Sequence, residues 1–297
     1  MNLMQFTSQL KLLLKGRPGF FGLVFLYALI VFACVYSLAT AGDLSTGRNP
    51  LANLLKTATE FARPSFLDVW LGDPAYEYKS DDGTVLRVEN RQEVEKQWLV
   101  QLGAATWITF KIATLGSLLA AILALPFGVL SAKNSRAPRL LTAFARLVLD
   151  VSRSIHTLVF GLVLVGIVGL GPTAGILAIA FHSLGTYGKL FAESIETLDM
   201  ASIEAVKGVG ASPSQTFFWS VWPSVLPQWV SSHLYLWEYN IRDSTILGII
   251  GAGGLGLLIS EAVSLFQWGR LSTILIVVVL MVTVFDSISR RIRTALL

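Results

Sequence analysis

The stretch from Leu102 to Leu130 reads LGAATWITFKIATLGSLLAAILALPFGVL, and it decides the class of fold. Its 29 residues include one charged side chain, Lys111. A helix of this length, rising about 1.5 Å per residue, exceeds the roughly 30 Å hydrocarbon core of a bilayer. We therefore expect a membrane-spanning helix in this part of the chain.

The composition of the whole chain agrees with a membrane protein. Of 297 residues, 54% are hydrophobic and 14% are charged, and the mean hydropathy is +0.64. Soluble proteins average about 25% charged residues. The net charge of +4 is dispersed, without the Lys/Arg run typical of nucleic-acid binding. The single cysteine, Cys34, excludes an intrachain disulfide and a cysteine metal site.

Five further apolar stretches bring the expected number of spans to six. They are Phe20–Ala41, Ile155–Leu170, Thr173–Phe191, Phe217–Trp237 and Leu271–Ile288. The Gly171-Pro172 pair predicts a tight turn between spans three and four. The first stretch ends in Ala39-Thr40-Ala41, which also fits signal-peptide cleavage. A secretory apolar region is typically about 7–15 residues long, so we favour a retained helix.

The distribution of charge predicts the orientation of the spans. Six spans place residues 1–19, the stretch 131–153 and the C-terminus on one side. That side carries 13 basic and six acidic residues, whereas the other carries nine basic and 13 acidic ones. Basic residues concentrate on the cytoplasmic side of membrane proteins. We therefore expect both termini to be cytoplasmic, residues 42–101 to form an outer loop, and residues 102–297 to form the core with five spans.

The outer loop, residues 42–101, is long enough to contain structure of its own. Residues 76–79 and 84–88 flank Ser80-Asp81-Asp82-Gly83, which predicts a short hairpin with an Asp-Gly turn. Residues 92–102 are typical of a helix that leads into the second span. The loop is either a surface decoration or a docking element for an external partner.

The segment 196–213, expected between spans four and five, reads ETLDMASIEAVKGVGASP. Glu204 and Ala205 favour a helix, Gly208 and Gly210 favour its end, and Ser212-Pro213 is typical of the start of the next helix. Two helices that meet at a glycine elbow are predicted. Such a rigid loop suits transmission of a partner's movement into the membrane, although a plain loop helix remains the alternative.

The segment 251–256, GAGGLG, matches the dinucleotide fingerprint G-x-G-x-x-G. That fingerprint requires a soluble βαβ unit and an acidic residue about 20 positions later. Residues near 275 are Leu, Ile and Val, so we reject a nucleotide site. We expect Gly251, Gly253, Gly254 and Gly256 to permit close helix packing or a broken helix that lines a cavity. The chain also lacks a P-loop motif.

The remaining candidate polar residues lie in or beside apolar stretches. Three histidines, His156, His182 and His233, lack a paired ligand at metal-binding spacing, which favours structural roles over metal binding. Charges beside a span are costly and usually face a cavity or a partner. This consideration singles out the pathway or gate candidates Glu238, Arg242, Asp243, Ser244 and Thr245. Arg242 either attracts an anion or forms an ion pair with Asp243 or Glu238.

The loop segment resembles the EAA loop of ABC-importer permeases, whose pattern is EAA, three residues, Gly, nine residues, Ile-x-Leu-Pro. Glu204-Ala205-Val206, Gly210 and Pro223 match it, whereas Ser220 and Trp222 occupy the Ile and Leu positions. The resemblance implies that the segment from Glu204 through Gly208 to Gly210 couples to a cytoplasmic ATPase.

A second resemblance, to phosphonate-type permeases, extends from about Leu102 to the C-terminus. It is carried by residues 237–256, WEYNIRDSTILGIIGAGGLG, by Gly169-Leu170-Gly171-Pro172 and by residues 189–193, KLFAE. Methionine-type permeases share the glycine-rich passage, residues 238–260, in a looser form. The outer loop contributes nothing to the resemblance.

Together, these resemblances imply an all-α polytopic permease of the type I ABC-importer class, located in the bacterial inner membrane. Its expected cargo is a phosphonate or a related phosphorus oxyanion. The expected partners are a second copy of the chain, an ATPase dimer that binds ATP and magnesium, and a periplasmic binding protein. We expect no enzyme activity, no cofactor and no nucleic acid partner in this chain. The alternatives are an importer of methionine or another small solute, a secondary transporter, and a membrane scaffold.

Overall fold

A computed structural model describes residues 18–41, 50–79, 85–134 and 137–296. Residues 1–17 of the predicted cytoplasmic segment 1–19 and the predicted Asp-Gly turn lie outside these residues. The chain divides into two units, residues 1–56 and 57–297. The first unit contains a long apolar helix and the beginning of a second helix, and all other elements belong to the second unit.

The described residues are mostly helical. The helices are α1 (Pro18–Ala41), α2 (Pro50–Phe61), α3 (Asp68–Leu71), α4 (Arg91–Ser131), α5 (Arg139–Ser154), α6 (Thr157–Val168), α7 (Pro172–Glu196), α8 (Met200–Gly208), α9 (Pro213–Thr216), α10 (Trp222–Leu247), α11 (Leu255–Ser264) and α12 (Trp268–Leu296). Three short helical turns cover Ser65–Leu67, Phe217–Val221 and Gly248–Ile250. The strands β1 (Tyr76–Lys79) and β2 (Val85–Glu89) pair antiparallel.

Three described helices are long and apolar enough to cross a membrane, namely α1, α4 and α12. Two bent pairs raise that number to five if each pair is one span: α5 with α6, bent by 94°, and the stretch 213–250 with α11, bent by 49°. The predicted count of six is not reached by length and hydropathy. The helix α7 is missing from the count because its sequence contains many small and polar residues.

Several predicted spans have different bounds in the structure, and the third and fifth bear on the site. The third, predicted at 155–170, is a 12-residue helix from Thr157 that follows a sharp bend after α5. The fifth was predicted to end at Trp237, but its helix continues to Leu247. The hydropathy pattern ended that span at Glu238, whose charge is compensated by Arg242 one turn later.

The helix α7 lies at the centre of the second unit and packs against α4, α5, α6 and α10. Its aromatic side chains fill the space beside small residues of α4. Tyr187 and Phe191 contact the cluster that contains Ala120, Ala124 and Trp229, and the rings of Phe191 and Trp229 stack with centroids 4.6 Å apart. Alternation of large and small side chains permits this dense packing.

Buried polar side chains connect the same helices. Asn240 of α10 is fully buried; its amide donates to the Ser117 hydroxyl of α4 at 2.8 Å and accepts from the Ser183 hydroxyl of α7 at 3.0 Å. Within lipid, such groups have no water to bond, so they must find partners inside the protein. The Asn240 amide therefore fixes three helices relative to one another.

The short turn Ser65–Leu67 packs against the beginning of α12. The Ser65 and Thr273 hydroxyls are 3.2 Å apart. Arg270 donates to Glu95 at the start of α4, with 2.7 Å between Nη2 and Oε1, and its guanidinium lies over the Trp98 ring. The extension of α4 beyond its apolar part is thereby attached to α12.

Replacement of Asn240 by alanine tests the role of the buried amide. Asn240→Ala leaves two buried hydroxyls without their partner, so we expect the free energy of unfolding in detergent to fall by about 1–2 kcal/mol. Thr283→Ala is the matched control, because the exposed Thr283 hydroxyl bonds only to a carbonyl of its own helix. An equal change in the free energy of unfolding for the two variants would contradict the role of Asn240 in holding the three helices together.

Candidate functional site

The loop between α7 and α10 contains the two helices that the sequence predicts. Asp199 caps α8 by accepting from the Ala201 amide at 3.0 Å. Gly210 follows α8 with φ = +85°, a conformation that residues with a Cβ rarely adopt. Ser212 and Gln215 then form a reciprocal capping box on α9, with Pro213 in its first turn. The prediction of an elbow between two helices is confirmed.

The helix α8 is attached by one face and exposed on the other. Ile203 is buried and points toward the membrane helices, whereas Glu204, Ala205 and Gly208 are exposed and Val206 is half-buried. Val209 is 85% exposed. A helix that presents an acid and an apolar side chain to solvent offers a compact surface for a partner protein.

Beneath α8 there is a largely apolar cavity of about 380 Å³. It is lined by Ile195 of α7, by Met200 and Ile203 of α8, and by Phe217 and Val221 of the turn that leads into α10, among others. The two positions that depart from the EAA pattern belong to this region. Ser220 is buried without a side-chain partner in the turn Phe217–Val221, and Trp222 begins α10.

Of the charged candidates on α10, Glu238 and Arg242 form an ion pair. Arg242 Nη2 lies 2.9 Å from Glu238 Oε1, one helical turn away. The Glu238 side chain is 10% exposed and that of Arg242 is 51% exposed. The ion-pair alternative for Arg242 is therefore present in the structure, with Glu238 as the partner.

Asp243 has a different partner. Its carboxylate accepts a hydrogen bond from the Thr157 hydroxyl at 2.7 Å, and both side chains are buried. Thr157 is the first residue of α6, where the amide ends of the helix favour a negative charge. Asp243 thereby holds α10 against the point at which α5 bends into α6.

The other two polar candidates are satisfied within their own helix. The Ser244 and Thr245 hydroxyls both donate to the Ile241 carbonyl, at 2.8 and 3.2 Å. Both residues are buried. Both hydroxyls are therefore used in hydrogen bonds within α10.

The glycine-rich passage forms the break between α10 and α11. Gly251, Gly253 and Gly254 all have positive φ, of +101°, +83° and +70°. A Cβ at Gly254 would overlap Thr109 Oγ1 of α4, and a Cβ at Gly256 would overlap the Thr245 carbonyl. The Leu255 amide donates to Thr109 Oγ1 at 2.8 Å. The glycine-rich passage therefore allows the start of α11 to pack closely against α4. Close helix packing is one of the two alternatives that the sequence predicts.

Each histidine has a structural contact. His156 caps α6 by accepting from the Leu158 amide, His182 Nδ1 lies 2.8 Å from the Ile155 carbonyl, and His233 Nδ1 lies 3.0 Å from the Tyr187 hydroxyl. In the part of the chain that the structure describes, no group of three His, Cys, Asp or Glu residues could hold a metal ion.

Several important residues were missed by the sequence reasoning. Thr109 occurs inside an apolar stretch, Asn240 follows the predicted end of the fifth span, and the Glu95–Arg270 pair joins residues that are 175 positions apart. An isolated threonine or asparagine in a span is itself a signal, because its polar group requires a partner there. Nothing in the sequence identifies that partner.

The family of binding-protein-dependent transport system inner membrane components matches residues 124–296. The chain belongs to this family. The match includes α7, the elbow of α8 and α9, the charged part of α10 and the glycine-rich passage. The chain is therefore an inner membrane component of a transport system.

Two relatives and one solved structure show what the chain resembles. It is 38% identical over 192 residues to the phosphite transport system permease protein PtxC of Stutzerimonas stutzeri, covering 63% of this chain and 70% of the relative. It is 36% identical over 197 residues to the phosphate-import permease protein PhnE of Mycolicibacterium smegmatis, covering 66% of this chain and 37% of the relative.

The structural relative is a chain of the MetNI methionine ABC transporter in an inward-facing conformation. The TM-score is 0.61 at 20% identity, and the match covers 68% of this chain and 98% of that chain. This likeness shows that the fold is that of an ABC transporter membrane subunit.

Replacement of Gly254 by alanine tests the packing of the glycine-rich passage. The new Cβ would overlap Thr109, so we expect Gly254→Ala to lower the unfolding temperature in detergent more than Gly253→Ala does. Both glycines have positive φ, which alone costs about 1–2 kcal/mol for a residue with a Cβ. A Cβ at Gly253 meets open space. Equal destabilisation by the two variants would rule out a specific Thr109 contact.

Proposed function

We propose that the chain is the permease subunit of an ATP-driven importer for a phosphonate or a related phosphorus oxyanion. The observation that carries this proposal is the likeness to permeases named for phosphite and phosphate transport at 36–38% identity. The solved methionine transporter structure matches at 20% identity, which concerns the fold alone and gives no support to methionine as the cargo.

The proposed assembly contains two copies of the chain, a cytoplasmic ATPase dimer that binds ATP and magnesium, and a periplasmic binding protein. We place six membrane-crossing segments in each copy: α1, α4, α6 with the bend that joins it to α5, α7, α10 and α12. The helix α7 has 25 residues, about 37 Å, which suffices to cross a bilayer. Its low hydropathy is tolerated because other helices cover it. Both termini then lie in the cytoplasm.

The helix α8 is the proposed contact with the ATPase. Its exposed residues include Glu204 and Ala205, and Gly210 ends it with a conformation that only glycine adopts readily. The helix α8 packs against the turn Phe217–Val221, which leads into α10. A push on α8 would therefore reach α10 through this turn.

The proposed gate lies where α10 meets α6 and the glycine-rich passage. The Arg242–Glu238 pair and the Thr157–Asp243 hydrogen bond hold the end of α10 in one arrangement. Movement of α10 would exchange these contacts for others. Alternating access requires only that ATP and the bound solute prefer different arrangements of the same helices.

Uptake measurements test the cargo. In cells that lack other phosphorus importers, we expect expression of the chain with its ATPase and binding protein to restore uptake of at least one of phosphate, phosphite and a phosphonate. Labelled methionine is the comparison solute. Methionine uptake without uptake of any phosphorus oxyanion would contradict the proposal.

Substitutions in α8 test the coupling role. We expect Glu204→Arg and Gly210→Pro each to lower both ATPase recovery in a pull-down and uptake by about tenfold or more. That loss corresponds to about 1.4 kcal/mol of binding free energy. Proline fixes φ near −65°, which is incompatible with φ = +85° at Gly210.

The matched control reverses an exposed charge elsewhere on the same proposed side. Arg291→Glu lies near the end of α12 and outside the coupling helix. We expect this variant to retain ATPase binding and uptake. Retained binding and uptake in both α8 variants, at normal membrane levels of the protein, would overturn the coupling role without affecting the proposed cargo.

A further inference from the structure

The helix α5 has three different faces. Ala145, Leu149 and Ser152 are buried against the rest of the protein. A second face carries large apolar side chains that are 43–85% exposed: Leu140, Leu141, Phe144, Leu147 and Val151. The third face carries three arginines spaced seven residues apart, which places them in one stripe along the helix: Arg139, Arg146 and Arg153.

The buried face fixes α5 across α7. A Cβ at Gly185 would overlap the Leu149 carbonyl, so the two backbones touch at this crossing. The Ser152 hydroxyl donates to the Phe181 carbonyl, and Arg146 Nε donates to the Ser131 carbonyl at the end of α4. The position of α5 is therefore determined by the bundle, and its apolar face stays outside the protein core.

The bend after α5 suggests how the helix lies in a membrane. The axis changes by 94° between α5 and α6. If the apolar helix α6 runs along the bilayer normal, α5 must lie nearly parallel to the membrane plane. The exposed face of α6 is also apolar and includes Val159, Leu162 and Ile167. Lipid that covers α6 would continue onto α5.

The depth in the bilayer at which α5 crosses α7 agrees with an α5 helix that lies along the membrane plane. From Pro172, at the turn that begins α7, to the crossing at Gly185 and Gly188 is 13 to 16 residues, or about 20–24 Å of helix. The hydrocarbon core is about 30 Å thick. With that turn at one boundary, α5 lies about 6–10 Å from the other, the depth typical of interfacial amphipathic helices.

The arginine stripe borders a polar cavity of about 340 Å³. Arg146, Arg153, Lys133 and Lys189 line it, together with the acidic residues Asp150, Glu193 and Glu196. Three of the basic residues pair with these acids. Within the residues that the structure describes, neither Arg139 nor Arg146 has a carboxylate within ion-pair distance. The stripe therefore retains basic groups beside the apolar face.

We propose that α5 is an interfacial helix whose apolar face is inserted in lipid and whose arginine stripe binds the phosphate headgroups of anionic phospholipids. Basic pockets between membrane helices attract such headgroups, and an amphipathic helix in the interface gains from both apolar insertion and charge. This site differs from the proposed gate and from the coupling helix. It depends on the membrane location of the family and does not depend on the cargo.

The first test measures the depth of the apolar face. A nitroxide is attached in the full-length chain at Leu147→Cys, and for comparison at Asp150→Cys on the arginine side, with Cys34→Ser as background. We expect the label at 147 to be relaxed mainly by oxygen, which concentrates in lipid, and the label at 150 mainly by a water-soluble nickel chelate.

Two outcomes of this test overturn the proposal. Equal access of the nickel chelate to both positions would place the apolar face in water. Disulfide cross-linking of Leu147→Cys between two copies, together with dipolar broadening of the nitroxide signals, would show that a second copy covers the face in place of lipid.

The second test measures headgroup binding. The full-length chain is reconstituted in phosphatidylcholine bilayers that contain spin-labelled phosphatidylglycerol, and the immobilised fraction of the label is recorded. We expect R139Q, which removes a basic group without a carboxylate partner, to reduce the selectivity for phosphatidylglycerol about fivefold, the contribution of one basic group at a membrane surface.

The control for headgroup binding is R291Q, which removes a basic residue from α12 and leaves the stripe intact. High salt should weaken the selectivity of the original chain and have less effect on R139Q, because the attraction is electrostatic. Unchanged selectivity in R139Q, or an equal loss in R291Q, would refute the arginine stripe as the binding site.

Discussion

The absence of hydrogen-bonding water in the bilayer is the constraint on which this structure depends. Every polar group within the bundle must find its partner in the protein. Asn240 meets this requirement by bonding to Ser117 and Ser183, and Thr109 meets it by accepting from the Leu255 amide. These bonds determine which helices are neighbours, since the apolar side chains around them are as well accommodated by lipid as by each other.

The same constraint explains why breaks in the helices coincide with functional candidates. The bend between α5 and α6 is held by the Asp243–Thr157 bond, and the break before α11 is held by contact of Gly254 with Thr109. Each break frees backbone groups that a nearby side chain then satisfies.

Much of the fold was predictable because its signals are local. Long apolar runs indicated the helices α1, α4 and α12, and Ser212-Pro213 with two glycines indicated the elbow after α8. The apolar stretch 173–191 also indicated α7, which the structure has as a helix from Pro172 to Glu196. Hydropathy ended the fifth span too early, at Trp237, because it does not account for the compensating charge of Arg242 beside Glu238.

The sequence by itself determined that the chain is a membrane protein, where along the chain most of the long helices lie, and which loop resembles a coupling loop. It identified Glu238, Arg242 and Asp243 as important without separating their partners. Tertiary structure decided that Asp243 bonds to Thr157, 86 positions away, and that Glu95 pairs with Arg270. Such pairings depend on distances between remote segments, and those distances arise only when the helices pack together.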